Sequence, residues 1–206
     1  MGKEKFNTAY KEPWEEFVQG NDAAFENVFN AHYKSMYGYG LKLCNRSALV
    51  KDCIQDLWMD IWERRTELHH VRSPNVYLFV SLRRKILKKL THLRKLNGLD
   101  DDIEEIAEGS LIQFSKEDII IKNEVKFQTK EQLQQALNQL SGRQKEIIYL
   151  HYYNGLSYGE IEEILSINRQ SVRNCMYRAM ETLRSVMNTE IMKLVITLFL
   201  ALLFFA

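Results

Sequence analysis

The stretch that decides the fold is LSGRQKEIIYLHYYNGLSYGEIEEILSINRQSVRNCMYRAMETLR, residues 140–184. Serine stands three residues before Gln or Glu twice, at Ser141/Gln144 and Ser157/Glu160. Each pair is a capping box that opens a helix. Gly155 falls where a glycine closes the helix between them. The punctuation predicts a short helix from Ser157 to Leu165, a turn at Ser166-Ile167, and a longer helix capped by Asn168 that runs through Leu183. Two helices joined by so short a turn, the second rich in Arg and Asn, make a helix-turn-helix. Its apolar skeleton is Ile161, Ile164, Leu165, Ile167, Val172, Met176 and Leu183. The second helix then presents Arg169, Gln170, Ser171, Arg173, Asn174, Tyr177 and Arg178. These residue types suit a major groove, where Arg pairs with guanine, Asn and Gln pair with adenine, and Ser meets phosphate or a base edge. The bland alternative is a helical hairpin with a polar outer face. The two caps and the short turn fall where the DNA-binding motif needs them.

Upstream, the same punctuation marks a second helical region. In AFENVFNAHYKSMYGYGLKLC the apolar residues Phe25, Val28, Phe29, Tyr33, Met36, Tyr37 and Leu41 recur at intervals of three and four, with Asp22 as the expected N-cap. In ALVKDCIQDLWMDIWERR, Val50, Ile54, Leu57, Trp58 and Ile61 share one face. Asp52, Gln55, Asp56 and Glu63 share the other. Ser73-Pro74 starts a third helix, Ser as N-cap and Pro at the first helical position. That helix is apolar at its start and basic at its end. Tyr77 and Phe79 precede Arg83, Arg84, Lys85, Lys88 and Lys89. Aromatic rings stack on unpaired bases while cations follow phosphates, so one of the two rings faces nucleic acid or both belong to the core.

The net charge of the 206 residues is only +1, yet the charges are segregated. Arg64 to Lys95 holds ten Lys/Arg and one acid, Glu67, whereas Leu99 to Glu124 holds nine acids and two lysines. A basic block with interleaved aromatics implies an anionic partner, most often nucleic acid. The acidic block, with no clean period, reads as a linker. Two prolines and nine glycines are too few to interrupt long helices. The expected fold is therefore all-α: a helical domain at 14–97, an acidic linker at 98–127, a helix-turn-helix domain at 128–189 and a hydrophobic tail at 190–206.

Cys44, Cys53 and Cys175 show no paired spacing, which fits reduced thiols in the cytoplasm. No metal site or cofactor is expected, and the adjacent His69 and His70 read as surface. Gly-rich phosphate loops and nucleophile motifs are missing, so an enzyme is not expected. The first residues, MGKEKFNTAYKEPWEEF, hold no apolar stretch, so no secretory signal is expected. The tail LVITLFLALLFFA, residues 194–206, is uncharged. A spanning helix needs about 20 apolar residues, so the tail is short for a span. Packing against a domain or partner, or peripheral association with the inner membrane, are the competing readings.

Two segments carry a resemblance. DCIQDLWMDIW (52–62) is similar to the pattern D-x-x-Q-E-x-F-x-x-x-W of the sigma-two domain, and residues 140–184, with their L-S-Y-x-E-I motif, resemble the sigma-four domain throughout. In that order and with that gap they resemble the extracytoplasmic-function (ECF) group of the sigma-70 family, the two-domain bacterial transcription initiation factors. The resemblance implies that Asp52, Gln55 and Asp56 meet the β′ clamp helices of core RNA polymerase. It implies that the helix bearing Tyr77, Arg83, Arg84 and Lys88 melts and captures the minus-ten element. It assigns Arg169, Gln170, Ser171, Arg173, Asn174, Tyr177 and Arg178 to the minus-thirty-five element, and it gives the sigma-four domain a contact with the β-flap. The linker would thread the RNA exit path, where its acids suit a cationic channel. An anti-sigma factor is implied as inhibitory partner. The family often carries Arg-Asn-x-x-x-Asp in the minus-ten helix. Here Arg83 is kept, and Arg84 and Lys88 replace the other two. Cys175 stands where a basic residue is common. A helix-turn-helix regulator acting without polymerase would explain residues 128–189 but neither the 52–62 motif nor the acidic linker.

Overall fold

The computed structural model of the protein describes residues 11–96, Ile112, Phe114 and residues 127–186. The acidic run 100–105 and the hydrophobic tail lie outside the described residues. Every regular element described is helical, and the chain divides into two compact units, Met1–Ile103 and Glu104–Ala206.

In the first unit, α1 (Lys11–Val18) buries Trp14 and Phe17. Helix α2 (Asp22–Cys44) follows across a turn at Gly20, where φ is +99°. Its N-cap is Asn21, not the expected Asp22: the Asn21 side chain accepts from the Ala23 amide at 3.1 Å. Asp22 instead occupies the first turn, where its charge suits the positive helix end. Helix α3 (Ser47–Glu63) buries Val50, Ile54, Leu57, Trp58 and Ile61, the stripe its spacing predicts. A 3₁₀ turn (Arg65–His70) with Leu68 buried leads to α4 (Pro74–Leu96). The Tyr77 amide donates to the Ser73 carbonyl at 3.0 Å, so α4 starts where Ser73-Pro74 predicts. The Ser73 hydroxyl does not cap it, being buried without a hydrogen-bond partner.

Helices α2, α3 and α4 pack on one another, and α1 leans on α2 and the 3₁₀ turn. The core between them holds Met36, Leu43, Ile54, Leu78, Leu82 and Ile86, each all but fully buried. Burial of one such side chain stabilises by roughly 1.5–3 kcal/mol. Gly40 of α2 lies against both α3 and α4, since a Cβ there would stand 2.6 Å from Val50 Cγ1 and 3.2 Å from Ile86 Cδ1. Cys44 and Cys53 are free thiols inside this core. Burial pushes the Cys53 thiol up to about 11, so it stays protonated.

In the second unit, α5 (Phe127–Asn138) buries Leu133, Ala136 and Leu137. Helix α6 (Gly142–Ile148) opens on the expected capping box: the Ser141 amide donates to Gln144 Oε1 at 2.8 Å and the Gln144 amide donates to Ser141 Oγ at 3.3 Å. It runs into a π turn, Tyr149–Tyr153, which the sequence does not announce. There Tyr149 and Tyr153 stack at 5.0 Å. Gly155, at φ +66°, then reverses the chain as predicted. Helix α7 (Tyr158–Leu165) carries the second capping box, and α8 (Arg169–Val186) is capped by Asn168, whose Oδ1 accepts from the Ser171 amide at 2.8 Å. Between them Ser166 takes the left-handed conformation, φ 54°. Helix α8 packs on α5, α6 and α7.

The segment read as linker contributes to this unit. Ile112 and Phe114 are buried, the Phe114 ring lies 5.9 Å from Tyr153 and 6.3 Å from Tyr149, and the Gln134 side-chain amide donates to the Phe114 carbonyl.

Candidate nucleic-acid interface

The helix-turn-helix is built from the core outward. Val172, Met176, Ala179 and Leu183 recur at intervals of three and four and are buried, which fixes the opposite face of α8 toward water. On that face Arg173, Asn174, Tyr177 and Arg178 are exposed, Tyr177 at 62%. Gln170 and Ser171 flank them, and the Gln170 amide donates to Asn174 Oδ1 at 2.9 Å, so two expected readers hold one another. A hydrogen bond to Glu181 pushes the Tyr177 phenol above its ordinary value, keeping it a neutral donor. Arg169, at the start of α8, turns back onto α7, its Nε donating to Glu162 Oε2 at 3.3 Å.

Helix α4 separates the residues expected at the minus-ten element. Phe79 is core, its ring 5.3 Å from that of Tyr39. Tyr77 is half-buried against Trp14, ring centroids 6.1 Å apart, so it is the aromatic with a face left open. Arg84 and Lys88 are exposed, whereas Arg83 is only 9% exposed. Arg83 thus stands apart from the other two: its position on α4 faces the bundle. Lys85 Nζ lies 2.6 Å from Asp60 Oδ2 on α3.

On α3, Asp52 and Gln55 are exposed and Asp56 is half-buried. Next to them the structure brings together a set that periodicity hides. Phe25, Phe29 and Tyr33 of α2 and Trp58, Met59 and Trp62 of α3 line an apolar groove of about 660 Å³, with Gln55 on its edge. The Trp58 indole nitrogen is buried without a hydrogen-bond partner. The spacing of α2 puts Phe25, Phe29 and Tyr33 on one helix face with Val28 and Met36. The structure shows two adjacent stripes: Ala24, Val28, His32 and Met36 are buried, and the aromatics beside them are half-exposed. The signal was the excess of apolar positions, more than one buried stripe requires.

Among the described residues, no group of three His, Cys, Asp or Glu side chains is placed to hold a metal ion. His69 and His70 are exposed, their Nδ1 atoms 2.9 and 2.7 Å from the Thr66 and Glu67 carbonyls. No helix among the described residues is long and apolar enough to cross a membrane.

Comparison with known proteins agrees with this geometry. Residues 28–97 match the family described as sigma-70 region 2, and residues 130–183 match sigma-70, region 4. Together the matches span more than half of the chain, which belongs to the sigma-70 family. Its relatives place it in the ECF group, the transcription initiation factors that direct promoter recognition. The ECF RNA polymerase sigma factor SigK of Mycobacterium tuberculosis (strain H37Rv) is 21% identical over 175 residues, covering 84% of this chain and 91% of that protein. The RNA polymerase sigma factor SigV of Bacillus subtilis (strain 168) is 24% identical over 176 residues, covering 84% and 96%. Among solved structures the fold is shared with CnrH in complex with the cytosolic domain of CnrY (TM-score 0.55, 17% identity, 84% of this chain and 94% of that one). It is also shared with the sigma factor RpoE in complex with the anti-sigma factor NepR from Bartonella quintana (TM-score 0.54, 17% identity, 79% and 95%).

Proposed function

We propose that the division of labour within the chain follows its two cationic surfaces and the acidic face of α3. Residues 14–97 form the unit that docks on core RNA polymerase and opens the promoter. Asp52, Gln55 and Asp56 meet the β′ clamp helices. Tyr77, Arg84 and Lys88 meet the minus-ten strand, and Arg83 supports them from within the bundle. Residues 128–189 form the unit that reads the minus-thirty-five element through α8 and meets the β-flap, and 98–127 is the acidic linker between them. The chain performs no chemistry, and phosphodiester formation belongs to the polymerase.

The observation that carries this reading is the outer face of α8, where Arg173, Asn174, Tyr177 and Arg178 are exposed together opposite a buried apolar stripe. An anti-sigma factor is the proposed inhibitory partner; the sigma factor RpoE is held in complex with the anti-sigma factor NepR, and CnrH with the cytosolic domain of CnrY. The tail 190–206 is proposed to pack against a partner or to lie at the inner membrane surface, the protein otherwise being cytoplasmic. Selection of duplexes from a random library, by core polymerase with and without this protein and by this protein alone, tests the assignment. Enrichment of a two-part motif only with the protein present supports it, and enrichment by the protein alone would favour a stand-alone regulator.

A further inference from the structure

We infer that Gly159 and Glu162 of α7 are positioning residues for Arg169, and that Arg169 so held clasps a DNA phosphate rather than reading a base. The inference rests on the proposed DNA-binding role of α7 and α8 and assigns Arg169 a task distinct from that of Arg173 and Arg178.

Gly159 is the second residue of α7 and has no positive φ. Backbone freedom therefore does not account for a glycine there, and glycine is the poorest helix former after proline. What the glycine leaves is room for the tip of Arg169. A Cβ on Gly159 would stand 2.6 Å from Arg169 Nη2 and 3.6 Å from Arg169 Cζ. The guanidinium lies on the bare backbone of the first turn of α7. One helical turn further along, Glu162 Oε2 accepts from Arg169 Nε at 3.3 Å. Two points on α7 thus fix a side chain that starts on α8, and with it the five donors of a planar fork.

The position decides what the fork meets. In a helix-turn-helix the second helix enters the major groove and the first crosses the sugar-phosphate backbone. A guanidinium laid along α7 faces the strand that α7 crosses. With Nε engaged by Glu162, the Nη donors have no partner among the described residues, which leaves them for the oxygens of one phosphate. Arg173 and Arg178 instead project from the outer face of α8, where base edges lie.

The test uses holoenzyme assembled from core polymerase and the full chain. The probes are a duplex selected by the wild-type holoenzyme and a set of its single-base derivatives. Arg169→Ala is expected to weaken binding several-fold and equally on every duplex, and to lower the slope of log affinity against log salt by about one. Gly159→Ala is expected to reproduce most of that loss and the same change in slope, because the new methyl group evicts the guanidinium. Its thermal midpoint should equal or exceed that of the wild type, since alanine is the better helix former. Glu162→Gln, which keeps a hydrogen-bond acceptor, should fall between wild type and Gly159→Ala. Wild-type binding by Gly159→Ala would overturn the positioning role, and an Arg169→Ala loss confined to one base pair would overturn the phosphate clasp. If the wild-type holoenzyme selects no duplex at all, the proposed function itself fails, a result distinguishable from both.

Discussion

Lys89 Nζ stands 2.8 Å from Asp56 Oδ2, joining the acidic face of α3 to the basic helix α4. One turn away Lys85 and Asp60 repeat the contact. This hydrogen bond pushes the Lys89 ammonium above its ordinary value. The residue expected to bind polymerase is thus already in contact with the helix expected to bind the promoter.

The first prediction concerns that carboxylate. Asp56→Lys should abolish co-elution with core polymerase. The fold should survive, because an ion pair between side chains 40% and 48% exposed contributes only about 0–1 kcal/mol. Size-exclusion chromatography with core and a thermal melt measure the two separately. Normal holoenzyme yield would remove Asp56 from the clamp contact.

Arg173→Ala should weaken promoter binding by about 1–3 kcal/mol and relax the preference at one base pair, as loss of a bidentate base contact does. Arg178→Ala is expected to do the same at a neighbouring position. Competition among single-base derivatives of a selected duplex reads out both. A uniform loss on all duplexes would make either residue a phosphate contact.

Gly40→Ala should destabilise the first unit by about 1–3 kcal/mol, because the added methyl group overlaps Val50 and Ile86 inside a packed core. Alanine's better helix propensity, at most about 1 kcal/mol, does not offset this. Urea unfolding measures the difference. Unchanged stability would mean that α2, α3 and α4 separate at no cost.

His32 supplies a pH dependence. Burial pushes its imidazole down from 6.5 to about 4. The folded protein holds it neutral while the unfolded chain protonates it near 6.5, so between those values the unfolded state binds more protons. Stability is therefore complete above about pH 6.5 and falls as the pH drops toward 4, by on the order of 3 kcal/mol. Urea midpoints for wild type and His32→Leu across this range should show a shallower slope in the variant. Parallel slopes would assign the acid sensitivity to other groups.

Much of this was legible in the sequence wherever a short-range rule sufficed. Ser141/Gln144, Ser157/Glu160 and Asn168 mark the starts of α6, α7 and α8 through contacts three residues apart, and Gly155 marks the reversal between the first two. Rules of that range failed where neighbours in space decided. Ser73 opens α4 at the right place, but tertiary packing encloses its hydroxyl. The cation at Arg83 suggested DNA, yet its helical position turns it inward, whereas Arg84, one residue on, is exposed. Phe25, Phe29 and Tyr33 fit a helix period, but period alone does not separate a core stripe from the wall of a groove beside it. Ile112 and Phe114 sit in an acidic segment whose composition reads as linker, and only long-range contacts with Tyr149, Tyr153 and Gln134 reveal the anchor. Gly159 looked like an ordinary x of the L-S-Y-x-E-I motif until Arg169 was seen above it.

Run-off transcription with purified core polymerase, on promoter fragments recovered by selection, tests the central claim most directly. The account predicts discrete transcripts that appear only when this protein is added and that disappear with Asp56→Lys. No transcript, together with failure to co-elute with core, would contradict it.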